Sequence, residues 1–420
     1  MSSIQTRDQA ERDILHVLPD CAARLDRLRI LAQAGLPPTV TVMGKYNHGK
    51  SRLLNELMGR DEFAVADRRQ TVALADLVHG GVRWLDAPGL GADIGSGDDR
   101  HAMRAAWLES DIRLFVHAAR EGELDGDERA LLDELRADGE QSLRQTLFVL
   151  SQVDQLADEG QLAKIAGALG MQAPGIQWTA VSSTRHRQGM EGGKKVLLEK
   201  SGIPALKSLL EAALAHVPQA RAHETALLFG QVRQALRQLL AARTEALSAL
   251  RRTQAQQRQD FDRGLAAVLG KVVADLLMVV DAPVEDHALT PDRAADAYRL
   301  TAGKVERARI QIAYSRACME IDGFLAGHGV IGLPSGRQAG AGSLNTVMVA
   351  VLGVSVKHRN DLRGIFCSPP GRERLQREFT AYYEQSADRL ALAKQVLQAE
   401  SDVSALQKAL AALQALEAGA

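Results

Sequence analysis

The sequence predicts an α/β domain with a mainly parallel sheet, followed by an α-helical bundle. Three observations lead there. Between residue 39 and about 216, short β-branched apolar runs alternate with segments of helical period, the pattern of strands connected by crossover helices. After Pro218 strand signals nearly vanish and long apolar stripes at helical spacing take over. The chain is also long enough, at 420 residues with 46% hydrophobic, for two to three domains of ~150 residues. The expected division is an N-terminal helix over 1–38, the sheet domain over 39–217 and the helical domain over 218–420.

Residues 4 to about 34 read as one helix, with Ile4, Ile14, Leu15, Leu18, Leu25, Leu28 and Leu31 at roughly helical spacing. Gly35 and Pro37-Pro38 end it, and it is expected to pack with the helical half. Thr39 to Met43 is compact and β-branched, as a buried strand should be. Further strands are expected at Ala73 to Val78, Val82 to Leu85, Ile112 to His117, Thr146 to Leu150 and Ile176 to Val181. Helices are expected at Ser51 to Met58, His101 to Leu108, Glu128 to Ala137, Glu159 to Ala168 and Ile203 to Val217. His79-Gly80-Gly81 between two strands predicts a hairpin. Beyond Pro218, one stripe runs Leu228, Val232, Leu236, Leu239, Ala246, Leu250. A second runs Phe261, Leu265, Leu269, Val272, Leu276, Val279. Helices are also expected from Pro291 to Leu325 and from Gly371 onward.

Composition excludes several classes. With 51 basic and 52 acidic residues, net charge −1, nothing supports broad electrostatic binding to nucleic acid. Tyr382-Tyr383 and Trp107 lack the interleaved basic residues of an RNA-reading surface, so RNA is not supported as a partner. Three widely spaced cysteines, Cys21, Cys318 and Cys367, form neither a disulfide framework nor a zinc motif. The polar N-terminus is no secretory signal, and no apolar run reaches the ~18–20 residues of a membrane span. A cytoplasmic location is expected.

The chemistry concentrates in Gly44-Lys45-Tyr46-Asn47-His48-Gly49-Lys50-Ser51, which matches G-x-x-x-x-G-K-[ST] between a strand and a helix. Glycines let backbone N–H groups turn toward phosphate oxygens, and the following helix N-terminus, with Arg52 in its first turn, adds a favourable dipole. Lys50 is placed to reach the β- and γ-phosphates and Ser51 to ligate Mg²⁺. Asp86-Ala87-Pro88-Gly89 ends a strand where ligands bind in open α/β folds. Asp86 is expected to hold Mg²⁺ through water, and the Gly89 N–H to face the γ-phosphate.

This order of motifs resembles a P-loop GTPase of the translation-factor class, nearest the Era-like branch and the bacterial dynamin-like proteins. The resemblance covers roughly residues 39 to 216. It implies GTP and GDP as ligands and hydrolysis to GDP with Mg²⁺. Phe63 to Thr71 resembles the first switch, which makes Thr71 a second protein ligand to Mg²⁺ and groups Lys50, Thr71 and Gly89 as catalytic. Leu150-Ser151-Gln152-Val153-Asp154 resembles the guanine motif N/T-K-x-D, with Asp154 accepting from N1–H and the 2-amino group; a helix N-cap is its alternative role. Val181-Ser182-Ser183 resembles the box that contacts guanine O6. Two departures matter. Ser151 and Gln152 replace Asn/Thr and Lys, whose stem covers the base. Leu90 stands where Ras-type enzymes carry a water-orienting glutamine. In some Era-like members the asparagine matching Asn47 binds K⁺, so K⁺-stimulated turnover is expected here; Arg68 and Arg69 are alternative charge stabilisers.

The helical half shows no catalytic constellation. The glycine-rich stretch 327–371 contains the apolar run Thr346 to Val356, followed by Lys357, His358, Arg359 and Arg363. Close helix packing is one role for it. The resemblance adds a membrane-touching tip with the basic residues at the lipid surface, hence peripheral membrane association, and self-association as a homodimer. The alternatives to a GTP-hydrolysing switch are a low-turnover, GTP-dependent RNA or ribosome assembly factor and a P-loop ATPase.

Overall fold

A computed structural model describes residues 3–63, 75–86, 105–332 and 356–419. They divide into two compact units, Met1–Gln238 with Lys408–Ala420, and Leu239–Gln407.

The first unit is built on a six-stranded sheet. Its strands are β1 (Thr39–Met43), β2 (Ala75–His79), β3 (Val82–Asp86), β4 (Ile112–Ala118), β5 (Gln145–Ser151) and β6 (Trp178–Ala180), in the order β2-β3-β1-β4-β5-β6. All neighbours are parallel except β2 and β3. Those two form the expected hairpin, where Gly80 and Gly81 take φ of 60° and 74°; both values suit a two-residue turn that only such residues enter freely.

Helices cover both faces of the sheet. The helices of this unit include α1 (Ser3–Val17), α2 (Ala22–Leu31), α3 (Lys50–Met58), α4 (Gly126–Ser142), α5 (Glu159–Gln172), α6 (Ser183–Gly192), α7 (Lys195–Lys200) and the start of α8 (Ile203–Val280). Alternation along β4 divides the core. Leu114 and Val116 join Leu53, Leu54, Ile203, Leu206 and Leu210 on one face. Phe115 joins Leu132, Leu135, Leu150 and Leu169 on the other. Each such side chain contributes about 1.5–3 kcal/mol on burial.

Local chemistry sets the helix starts. Asp125 and Glu128 form a capping box at α4. Asp158 caps α5 through Gln161 N at 2.8 Å, so Asp154 is not that helix's N-cap.

The N-terminal segment is two helices, not one. Pro19 lacks the N–H that would continue α1, and Leu18 before it has left the helical region at φ −138° and ψ 70°. This segment contacts residues beyond 218: Lys408 Nζ donates to Asp13 at 2.9 Å. Arg27 of α2 is buried against Glu224 of α8 at 2.8 Å and Asp111 at 3.2 Å, all within the first unit.

The second unit is helical. It contains the later part of α8, α9 (Ala302–Gly327), the short α10 (Arg359–Leu362), α11 (Pro369–Glu384) and most of α12 (Ala387–Ala418). α8 is 78 residues long and runs through Pro218, so that proline does not start a new element. The Phe261 stripe is core as expected, with Phe261, Leu265, Leu269, Val272 and Leu276 packed against Ile310, Ile321 and Phe379. Phe261 stacks on Tyr383 at 3.9 Å. In the other stripe Ala246 is exposed and Leu247 is buried in its place. The helix expected from Pro291 begins only at Ala302, capped by Thr301. No helix among the described residues is long and apolar enough to cross a membrane.

Of the basic residues after the apolar run, Arg359 does not face solvent. It is buried, pairs with Glu306 at 2.6 Å and donates to the carbonyls of Ala282 and Val284 at 3.1 Å. Arg363 is exposed and pairs with Asp281.

Candidate functional site

The phosphate loop connects β1 to α3, and β1 lies between β3 and β4 where the strand order reverses. Open α/β sheets bind ligands at such a point, beyond the C-terminal strand ends. Gly44 opens the loop at φ +142°, and a Cβ there would lie 2.1 Å from the Val116 carbonyl oxygen. Only glycine lets β1 turn this close to β4. Asn47 and Gly49 are also left-handed, at φ 62° and 79°. Tyr46 and Asn47 are exposed, His48 and Lys50 buried, and Ser51 and Arg52 half-buried.

Lys50 curls over its own loop, donating from Nζ to the carbonyls of Gly44 at 3.0 Å and Lys45 at 2.8 Å. Burial lowers its pKa to about 8, with Asp86 opposing the shift. Asp86 ends β3, and its Oδ2 accepts from Ser51 Oγ at 2.5 Å. Burial raises the Asp86 pKa, against the Ser51 hydrogen bond and the Lys50 charge. Its Oδ1 is buried with no hydrogen-bond partner among the described residues. A free buried carboxylate oxygen beside a serine hydroxyl is a donor set suited to a hard divalent cation such as Mg²⁺.

The end of β5 reaches the same loop. Ser151 Oγ lies 2.7 Å from the His48 carbonyl and 3.2 Å from that of His117. Gln152, left-handed at φ 57°, donates from Nε2 to the Asn47 carbonyl at 2.6 Å. These two residues therefore brace the phosphate loop. Asp154 Oδ1 accepts from Ser182 Oγ at 2.6 Å. Ser182 also caps α6 by accepting from Arg185 N at 3.1 Å, and Ser183 begins that helix. This corner is packed closely: Gly202, at φ +72°, could carry no Cβ without meeting the Ala180 carbonyl oxygen at 1.9 Å.

The structure thus gathers Gly44 to Arg52, Asp86, Asp154, Ser182 and Ser183 at one edge of the sheet. Thr71, Gly89, Leu90, Arg68 and Arg69 lie outside the described residues. The bracing by Ser151 and Gln152 escaped the sequence pattern, which marks them only as departures. So did a buried cluster of His48, His117 and Glu128, whose members stand on three separate segments.

A profile of the family described as "50S ribosome-binding GTPase" matches residues 39–152. The protein called "Uncharacterized protein ACIAD1443" of Acinetobacter baylyi is 50% identical over 407 residues, 97% of each chain. GTPase Der of Thermoanaerobacter pseudethanolicus is 33% identical over 99 residues, 21% of this chain and 22% of Der. Among solved structures, Aquifex aeolicus Era bound to GDP·AlF4⁻ is similar at 21% identity and TM-score 0.31, over 38% of this chain and 55% of Era. A chain of an oligomerised bacterial dynamin pair is similar at 12% identity and TM-score 0.35, over 99% of this chain and 72% of that one. The chain carries a P-loop GTPase domain and belongs to the family of Acinetobacter baylyi ACIAD1443.

Proposed function

We propose that this protein is a GTP-hydrolysing switch whose nucleotide site is the sheet edge formed by the phosphate loop, Asp86 and the Asp154–Ser182 pair. The observation that carries the reading is their convergence: phosphate-binding, cation-binding and base-reading groups meet beyond the same strand ends. In this reading the loop N–H groups and the Lys50 ammonium take the β- and γ-phosphates. Ser51 and Asp86 hold Mg²⁺, with Thr71 as a further ligand; when bound, the ion neutralises charge on the phosphate oxygens. Asp154, oriented by Ser182, accepts from the guanine N1–H and 2-amino group. A base without those donors leaves a carboxylate unpaired, which disfavours ATP. Asn47, exposed on the loop, is the group for K⁺, so turnover is expected to be faster in K⁺ than in Na⁺ buffer.

Competition binding with GTP, GDP and ATP, on the wild type and Asp154→Ala, tests the site. The expected result is guanine preference in the wild type, lost in the variant. ATP competing equally with GTP against the wild type would make the chain an ATPase. Single-turnover hydrolysis then separates a switch from a low-turnover assembly factor.

Coupling to the helical unit is the second part of the proposal, with peripheral membrane contact through 327–371 and homodimerisation as its outputs. The apolar run Thr346 to Val356 supports membrane contact; the buried Arg359 does not contribute to it. Liposome flotation of Val349→Asp against the wild type checks it, and equal flotation of the two excludes the tip.

A further inference from the structure

Beneath the phosphate loop, three side chains from distant segments meet in the interior. His48 belongs to the loop, His117 to the end of β4, and Glu128 to the first turn of α4. None is more than 3% exposed at its side chain. His117 Nδ1 is 2.9 Å from Glu128 Oε1. His48 Nδ1 is 3.7 Å from that same oxygen and 3.2 Å from the Val116 carbonyl oxygen. One ligand atom from each of the three residues falls within a 4.8 Å span.

We propose that His48, His117 and Glu128 bind a divalent transition-metal ion of the Zn²⁺ class, with the Val116 carbonyl as the adjacent fourth oxygen. The proposal stands on this geometry and does not depend on the nucleotide reading. Tetrahedral zinc with bonds near 2.05 Å sets its donors ~3.3 Å apart; three of the six donor edges measure 2.9, 3.2 and 3.7 Å, and the three side-chain ligand atoms lie within 4.8 Å of one another. Two imidazoles and one carboxylate suit Zn²⁺, Co²⁺ or Fe²⁺, and not Mg²⁺, which demands oxygen.

A second observation comes from hydrogen-bond chemistry. His117 Nε2 faces the Gly122 carbonyl at 3.2 Å, and a carbonyl can only accept. Its Nδ1 faces a carboxylate. A neutral imidazole has one N–H and cannot donate to both. A metal ion between Nδ1 and Glu128 resolves the conflict: Nε2–H donates to Gly122, which fixes the tautomer and presents the Nδ1 lone pair. Histidine ligands of metals are commonly oriented this way. A second proton on the ring would also resolve it, and the experiment separates the two.

The full-length wild type is stripped with chelator and titrated with Zn²⁺ against a chromophoric competitor, and separately with Co²⁺ followed by visible absorption. One equivalent of each is expected, with the Co²⁺ spectrum of a four-coordinate nitrogen–oxygen site. Zn²⁺ should raise the melting temperature of the transition reported by tryptophan fluorescence. Glu128→Gln and His117→Asn should each weaken Zn²⁺ binding by more than about 100-fold. Because either variant can fail to fold, X-ray absorption of the zinc-loaded wild type reads the ligands directly, and a nitrogen–oxygen shell with imidazole scattering supports the site. No binding at micromolar Zn²⁺ overturns it and leaves a proton between His117 and Glu128. Sulfur in the shell, or undiminished affinity in both folded variants, places the ion elsewhere and also overturns it.

Discussion

Replacing Gly44 by alanine tests the packing of the phosphate loop against β4. The added Cβ would lie 2.1 Å from the Val116 carbonyl oxygen, where ordinary contact begins at 3.4 Å. The loop or the strand must therefore move by about 1.3 Å. Val116 cannot yield alone, since it pairs with β5 through Val149. Overpacking of this kind costs about 1–3 kcal/mol. The φ of +142° adds about 1–3 kcal/mol of backbone strain for any residue with a Cβ. Together the loss is about 2–6 kcal/mol, against a typical domain stability of about 5–15 kcal/mol. All three tryptophans, Trp84, Trp107 and Trp178, lie in the sheet unit, so urea denaturation followed by their fluorescence reads that unit. Gly59→Ala is the control: its φ is +73°, but no atom of the described residues lies within 4 Å of the added Cβ, so about 1 kcal/mol is expected. If Gly44→Ala loses no more than Gly59→Ala, the close approach of the loop to β4 is not what requires glycine.

Lys50 gives a pH signature. Its pKa is about 8 in the folded protein and 10.5 in the unfolded chain, so between these values the unfolded state holds more protons and stability rises with pH. The penalty, about 3 kcal/mol, is full below pH 8 and gone above 10.5; in Lys50→Met this rise should flatten in urea titrations across that window. Polyphosphate binding should restore the ammonium, so calorimetry near pH 8.5 in buffers of different ionisation enthalpy should detect proton uptake in the wild type and none in Lys50→Met. Arg27→Met removes a buried guanidinium from Asp111 and Glu224, which keep Arg221 at 2.5 Å and Arg144 at 3.5 Å as partners, and should cost about 1–3 kcal/mol by the tryptophan assay; a loss under about 0.5 kcal/mol would show that those remaining partners carry the network. Gln152→Ala removes the brace on the Asn47 carbonyl, and fluorescent-nucleotide binding should weaken for GDP and for GTP alike.

The parts of the site legible from sequence are those whose chemistry is local. Gly44, Gly49, Lys50 and Ser51 announce themselves because a phosphate cradle is made by consecutive backbone groups. The Gly80-Gly81 hairpin is legible for the same reason. Pro19 was equally local, yet the apolar spacing on either side of it concealed the break. Pro218 has the opposite character: it reads as a boundary, yet packing on both sides carries α8 through it. Ser151 and Gln152 look like weakened guanine readers until the carbonyls of Asn47 and His48 are brought to them from a hundred residues away. His48, His117 and Glu128 have no spacing to detect, since the sheet topology alone joins them. Ala246 and Leu247 show the limit of periodicity, as one residue of drift along a long helix exchanges the buried position.

The braces from β5 to the phosphate loop have a thermodynamic corollary. Gln152 and Ser151 hold the carbonyls of Asn47 and His48, and Asp154 stands two residues farther along the same segment. In the proposed site, base and phosphate recognition are therefore not independent modules. A strain introduced under either end of the nucleotide must be shared by the other, so substitutions at the two ends will not sum in a double-mutant cycle. The same linkage constrains descent with modification: a change of Ser151-Gln152 toward a better base cover would first have to find the phosphate loop another support.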